Sequence, residues 1–422
     1  MLEALRNALR IGDLRTKILY TALMLIVYRL GSHVPVPGVD ASALAEAMGV
    51  GQGNIFGFLD LFSGGALGRF TIFAMGVNPY ITSSIIVQLL GAVIPMFEEM
   101  QKEGVEGRKK MQQWVRYGTV VLGIIQGLSI TIMARNSGVI ANPDFFTLSL
   151  IVTTLVAGSI FLMWLGEKIT EHGIGNGVSL IIFVSIISRL PYGLLETVQG
   201  IGGGGVSIVS LLLFVVLGIV VIAGVVYVQE GQRRIPVQYA KRVVGRRMYG
   251  GQSTHIPLRV NMAGVIPVIF ASSILAMPLT VGQFAPSLQV IDKYIGYGTL
   301  GYNLLYVIMV IFFTYFYTAM TFNPVDVANN MKKNGGFIPG MRPGRPTSEY
   351  LDRVLTRITL FGAIFLAAIA VLPYIMASVT NMPTSFLYFG GTSLLIVVGV
   401  ALDTMKQIEA HLLLRHYEGF IK

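Results

Sequence analysis

Gly76-Val77-Asn78-Pro79-Tyr80-Ile81-Thr82-Ser83-Ser84-Ile85 and Gly264-Val265-Ile266-Pro267-Val268-Ile269-Phe270-Ala271-Ser272-Ser273-Ile274 read alike: each runs Gly-Val-x-Pro-x-Ile, then Ser-Ser-Ile, with one extra residue in the second copy. Both fall within long apolar runs. A duplicated segment in corresponding halves of an apolar chain is the mark of an internal repeat, and in folds with inverted repeats the pathway lies at the repeat interface. The pattern therefore sets Ile81 and Ile269 opposite one another.

Working outward, hydropathy gives about ten segments able to cross a hydrocarbon layer of ~30 Å at 1.5 Å per residue. They lie near 18–34, 70–95, 117–134, 146–165, 178–196, 206–228, 262–284, 302–323, 357–379 and 386–404. Each copy of the repeat sits in the second span of a five-span set. Because five is odd, the two sets cross in opposite senses. The expected architecture is an all-α polytopic membrane protein with ten transmembrane helices in two inverted halves, 1–200 and 206–422, joined through the flexible run Gly202-Gly203-Gly204-Gly205.

Charge fixes the threading. Of 31 Lys and Arg residues, 26 fall before the first span, in alternate gaps, or in the tail, leaving only Arg29, Arg69, Arg135, Arg189 and Lys293 for the other side. The positive-inside rule then puts both termini in the cytoplasm, which requires an even number of spans. Composition agrees: 54% hydrophobic, 12% charged and a mean hydropathy of +0.69 belong to a membrane protein. The first apolar run leads into Val34-Pro35-Val36-Pro37 without a small-residue cleavage site, so it reads as a retained helix. The absence of cysteine excludes disulfides, thiolate metal sites and a Cys nucleophile.

No ionisable residue stands at mid-depth in the ten segments; Arg29, His33, Arg189 and Asp403 lie near ends, and the other histidines in loops or the tail. Ion-coupled transporters, the nearest rival with inverted repeats, need such groups. An intramembrane enzyme fails for want of a catalytic pair. With no G-x-x-x-x-G-K-[ST] loop either, a passive pathway driven by a partner is expected, with no cofactor and no metal.

Residues 56–69 form a run too short to span and too apolar for a solvated loop, which predicts a re-entrant half-helix. Its glycines each cost about 1 kcal/mol relative to Ala in a helix, so it is expected to be weakly held. Two basic loops, 229–261 and 324–357, promise projections clear of the lipid. The first reads as a hairpin with Arg242, Arg246 and Arg247 toward its tip; the second has Arg342 and Arg345 pinned by Pro and Gly in a tight turn. Together they suggest a docking platform for a large soluble partner.

Several strings resemble the SecY family, the bacterial protein-conducting channels of the Sec translocon. They are 62–67 (Phe-Ser-Gly-Gly-Ala-Leu), 78–81 (Asn-Pro-Tyr-Ile), 173–177 (Gly-Ile-Gly-Asn-Gly), 252–258 (Gln-Ser-Thr-His-Ile-Pro-Leu), 261–267 (Asn-Met-Ala-Gly-Val-Ile-Pro), 339–344 (Pro-Gly-Met-Arg-Pro-Gly) and 389–396 (Phe-Gly-Gly-Thr-Ser-Leu-Leu-Ile). The resemblance covers essentially the whole chain. It implies an hourglass pore in the plasma membrane of a bacterium, passing unfolded polypeptides across and releasing membrane helices sideways into lipid. The constriction would be Val77, Ile81, Ile182, Ile186, Ile269 and Ile396, with Val77 smaller than the residue many relatives carry. The plug would run from about Gly57 to Arg69, including Phe58, Leu61, Phe62, Ser63, Gly64, Gly65, Ala66, Leu67 and Arg69. A lateral gate would involve Thr82, Gln88, Ser272, Ser273 and Met277, with Gln88 the expected cross-helix hydrogen bonder. The implied partners are SecE and SecG subunits, the SecA ATPase, the ribosome through its RNA phosphates, and a translocating polypeptide with its signal sequence.

Overall fold

The computed structural model of the 422-residue chain describes residues 11–40, 43, 46, 55–140, 142–202, 208–239, 242–244, 247–249, 253–282, 296, 299–380 and 390–418. The helices are α1 (Gly12–Gly31), α2 (Ile55–Phe62), α3 (Asn78–Val93), α4 (Pro95–Lys102), α5 (Val105–Asn136), α6 (Phe145–His172), α7 (Gly177–Gly202) and α8 (Ile208–Glu230). After strands β1 (Gln232–Tyr239), β2 (Arg242–Val244), β3 (Arg247–Tyr249) and β4 (Ser253–Arg259) come α9 (Ile266–Gly282), α10 (Leu300–Thr321), α11 (Pro324–Lys333), β5 (Gly336–Phe337), α12 (Arg345–Thr380) and α13 (Gly391–Glu418). Each of the expected apolar segments carries a helix. By length and composition, five helices among the described residues are able to cross a membrane, or six if the pair α3–α4, bent by 98° at Ile94–Pro95, counts as one. Leucine, isoleucine, valine and phenylalanine side chains stand exposed along α1, α5, α8 and α12, among them Leu23, Val121, Ile219 and Phe361. That much contiguous apolar surface suits lipid, not water.

The helix starts differ from the hydropathy limits for a local reason. The run expected to begin near 70 turns irregularly until Asn78, and the run expected near 262 becomes helical only at Ile266. Gly76 takes φ +57° and Gly264 φ +63°, a left-handed conformation an L side chain adopts only at a cost of roughly 1–2 kcal/mol. Pro79 and Pro267 then sit in the first helical turn, where a missing N–H costs nothing. In both copies the valine carbonyl accepts the amide of the isoleucine four residues on: Ile81 to Val77 at 3.0 Å, and Ile269 to Val265 at 3.3 Å. The sequence duplication is thus a duplication of backbone shape.

Residues up to 202 and those from 208 touch along two lines, α3 and α5 against α9, and α7 against α13. One large apolar cluster runs across both lines. A second, smaller core lies among the basic loops: β1 pairs antiparallel with β4 from Gln232↔Arg259 to Gln238↔Ser253 and with β5 at Gln238↔Phe337 and Tyr239↔Gly336. Ile235, Val237 and Leu258 pack there against Met331, Ile338, Leu351 and Val354. The two loops, expected as separate projections, are one folded unit, because alternate residues of β1 present an apolar face that neither loop could bury alone.

Candidate functional site

The six aliphatic residues of the expected constriction come from four helices or their caps. Val77 caps α3 and Ile81 lies in its first turn; Ile182 and Ile186 lie one turn apart on α7; Ile269 is on α9 and Ile396 on α13. All are at most 5% exposed, and all belong to the single large cluster. Leu61, Phe62, Ala66 and Leu67 from the plug segment are in the same cluster.

The plug differs from a half-helix with weakening glycines. Its helical part, α2, is eight residues long and ends at Phe62. Residues 63–77 then follow turns, with Gly64 at φ +69° and Gly65 at φ +84°. Gly57 lies inside α2, but Gly64, Gly65 and Gly68 stand outside it, and Gly64 and Gly65 make those turns possible, so helical propensity bears on only one of the four. Besides the burial of Leu61, Phe62, Ala66 and Leu67, polar anchors hold it. Asp60, 1% exposed, forms an ion pair with Arg189 of α7 and accepts the Gly68 amide at 2.7 Å. The buried Tyr28 hydroxyl of α1 donates to the Ser63 carbonyl at 3.0 Å and lies 2.5 Å from Ser185 Oγ of α7. Arg29 and Arg69 both donate to the Gly64 carbonyl, at 3.0 and 3.2 Å. Ser63 Oγ in turn accepts the Leu67 amide at 3.1 Å. The following strand-like stretch is stitched back to the chain beyond α1 by Val36 N–H to Phe70 O and Ile72 N–H to Val34 O, at 2.9 and 3.0 Å. The expectation of a weakly held plug is corrected by these anchors. The backbone of Phe58 lies in α2, but its side chain is outside the described residues.

Between the plug and the facing helices lies a small cavity of about 50 Å³, lined by Leu59 and Leu67, by Asn78 and Thr82 of α3, and by Ser273 and Met277 of α9. Three of the expected gate residues therefore share one crevice with the plug. The hydrogen bonding is not as expected there. Gln88 donates to Ser84 on its own helix at 3.0 Å; Thr82 and Ser272 donate to the Asn78 and Ile269 carbonyls of their own helices. The bond that crosses helices comes from Ser83, whose hydroxyl donates to the Val115 carbonyl of α5 at 2.7 Å. Serine commonly bonds its own helix backbone, as the likewise buried Ser272 does; Ser83 differs in having the Val115 carbonyl of α5 within reach.

On the basic unit, Arg342 is exposed in the turn before α12, its carbonyl accepting Thr347 Oγ1 at 2.9 Å. Arg345 opens α12 instead of sharing the turn, and it pairs with Glu349 one helical turn on, at 2.9 Å. Arg242 and Arg247 fall on β2 and β3, with side chains outside the described residues, and Arg246 is wholly outside them, as are Gly203 to Gly205.

The SecY family model matches residues 71–405. The chain belongs to the SecY family. It is 49% identical over 454 residues to the protein translocase subunit SecY of Mycobacterium tuberculosis strain H37Rv, covering 100% of each chain. It is 46% identical over 422 residues to that of Escherichia coli K12, covering 98% of this chain and 95% of the relative. Among solved structures, "The structure of a protein conducting channel" superposes with a TM-score of 0.63 at 18% identity, covering 94% of this chain and 92% of that one. A structure described as showing that the SecY plug domain stabilises the closed translocation channel matches with the same TM-score at 19% identity and the same coverage. Sec61 in the canine ribosome–channel complex matches at 0.60 and 17% identity, covering 94% of this chain and 92% of that one. At these identities the structural likeness establishes the fold: this chain shares the architecture of the channels.

Proposed function

We propose that the chain is the central channel subunit of a protein translocase, with Val77, Ile81, Ile182, Ile186, Ile269 and Ile396 as the constriction. The burial of these six side chains in one cluster with plug residues is the observation that carries the reading. A ring of aliphatic side chains gates by dewetting: it opposes ions when empty and offers a passing chain no fixed hydrogen-bond partner. Hydrated ions lose their shells at such a waist, whereas an unfolded polypeptide of any sequence slides along it.

The halves 1–200 and 206–422 part along α3 and α9, where Thr82, Ser273 and Met277 face the crevice, to admit a signal sequence and release apolar helices into lipid. Ser272 and Gln88 flank this edge. The plug, about Gly57 to Arg69, closes the outer side until a signal sequence enters. Ten spans, with both termini in the cytoplasm of a bacterium, place the shared basic unit on the inner face of the plasma membrane. Arg342 and Arg345, with Arg242, Arg246 and Arg247 of the other basic loop, offer cationic groups to a SecA-type ATPase or to ribosomal RNA phosphates. The chain itself hydrolyses nothing; the driving force is the partner's, and small SecE and SecG subunits complete the complex.

The deciding experiment is import. Vesicles carrying this chain with its small subunits should take up an unfolded precursor only when SecA and ATP are supplied, with no coupling to an imposed ion gradient. Uptake driven by the gradient alone would replace the channel with a transporter.

A further inference from the structure

Immediately beside the proposed constriction lies a second, larger cavity of about 460 Å³, within the size range of ligand pockets. Its wall includes Ser179, Val265 and Val400, each one helical turn from Ile182, Ile269 and Ile396 respectively. It is therefore the antechamber of the ring. Its polar lining is rich in amides: Asn176, Gln229, Asn261 and Gln407. Two of these are committed, since Asn176 Oδ1 accepts the Ser179 amide at 3.1 Å and Gln407 Oε1 accepts the Gly175 amide at 2.9 Å. The other two are not. Gln229 is 7% exposed and its Nε2 donor has no partner; Asn261 is 6% exposed and its Oδ1 acceptor has none, while its Nδ2 is held by the Gly264 carbonyl at 2.9 Å.

Buried polar atoms without partners are uncommon because each forfeits hydrogen bonds it had in water. A free donor and a free acceptor on two residues of one cavity wall constrain the missing group. A carboxylate or phosphate would satisfy Gln229 and find Arg259 and Lys406 on the same wall, but Lys406 is already paired with Glu230, and the anion would meet the lone pairs of Asn261 and the carboxylate of Asp403. An ammonium would satisfy Asn261 and leave Gln229 bare. A neutral group carrying both C=O and N–H satisfies both, and the terminal torsions of Gln and Asn are broad enough to turn the free atoms toward it.

We propose that this cavity is a peptide-backbone subsite, where a peptide unit of an extended chain docks between Gln229 and Asn261 before it enters the ring. The proposal rests on the channel reading. Every residue except proline offers the same N–H and C=O, so such a subsite holds any sequence without reading it, and two hydrogen bonds are weak enough to let the chain advance.

The test uses the full chain with a photoreactive side chain at Ala410, a residue of the cavity wall, and a stalled precursor. Cysteine crosslinks at Ile81 and Ile269 report the ring in parallel. The paired substitution Gln229→Met and Asn261→Leu should lower the Ala410 crosslink about fivefold or more, with ring crosslinks retained. As a control for folding, a precursor N-methylated across the stalled segment is run on the unaltered channel. It lacks the N–H that Asn261 accepts, and it should show the same loss. Ala410 crosslinks unchanged by both manipulations overturn the subsite while leaving the channel standing. Loss of ring crosslinks in the unaltered protein overturns the channel reading beneath it.

Discussion

Replacing Asp60 by Asn tests whether the outer seal depends on its ion pair with Arg189. Asparagine keeps an oxygen for the Gly68 amide, 2.7 Å away, but removes the charge that Arg189 faces. A hydrogen bond involving a charged group contributes about 1.5–3 kcal/mol. Arg189 is 31% exposed, and solvent reaching it screens the pair, which favours the lower end of that range. Every ~1.4 kcal/mol is tenfold in an equilibrium constant, so the displaced-plug population should rise about tenfold. The assay is anion leak from vesicles holding the resting channel, with no precursor or ATP. Arg189→Met should leak more than Asp60→Asn, because it strands a carboxylate that is 1% exposed, a defect costing about 3–5 kcal/mol. The exchange Asp60→Lys with Arg189→Glu should recover part of the seal. A leak from Asp60→Asn within twofold of the parent, with thermal stability unchanged, would refute the argument. So would an exchange variant as leaky as Arg189→Met.

Arg342→Glu should depress SecA-driven import severalfold, more steeply at low salt, while the protein still inserts at normal levels; an unchanged import rate counts against the basic platform. Ser83→Ala removes the one described bond from α3 to α5, two helices of the same half, so it should lower the unfolding midpoint by the equivalent of about 0.5–1.5 kcal/mol without easing entry of weak signal sequences, whereas Gln88→Ala should do little to either. Gly264→Ala, forced into φ +63°, should lower the unfolding midpoint by the equivalent of about 1–2 kcal/mol, as should Gly76→Ala at φ +57°; no shift in either would mean the backbone relaxes there freely.

The helical frame was open to reading because lipid imposes it: apolar length and basic asymmetry are properties of the chain alone. The repeat was legible for the same reason, since Gly-Val-x-Pro states a left-handed residue and a helix start in one phrase, and both copies obey it at Gly76 and Gly264. The plug was not legible in detail. Its path depends on Phe70 taking φ +43° and on bonds to Val34 and Val36, which no local pattern announces. Asp60 and Arg189 could each be noticed as a charge in an apolar setting, but their pairing is made only when α2 packs on α7. Gln88 was the expected cross-helix hydrogen bonder, but its reach lets it satisfy itself on Ser84, while the shorter Ser83, pressed against α5, has the neighbour's carbonyl within range. The joining of the two basic loops likewise depends on an edge of β1 that sequence leaves unassigned.

That small sheet has a mechanical consequence. β1 leaves α8 after Glu230, and the Val260 amide closes the base of the hairpin onto the Gly231 carbonyl at 2.9 Å, shortly before Ile266 opens α9. The opposite side of the same unit is the start of α12, through Leu351 and Val354. A soluble motor that grips the sheet cannot tilt it without torque on three membrane helices at once, and one of them carries Ile269. Thrust delivered at the basic face is thus geared to the waist of the pore, with no need for the motor to reach inside.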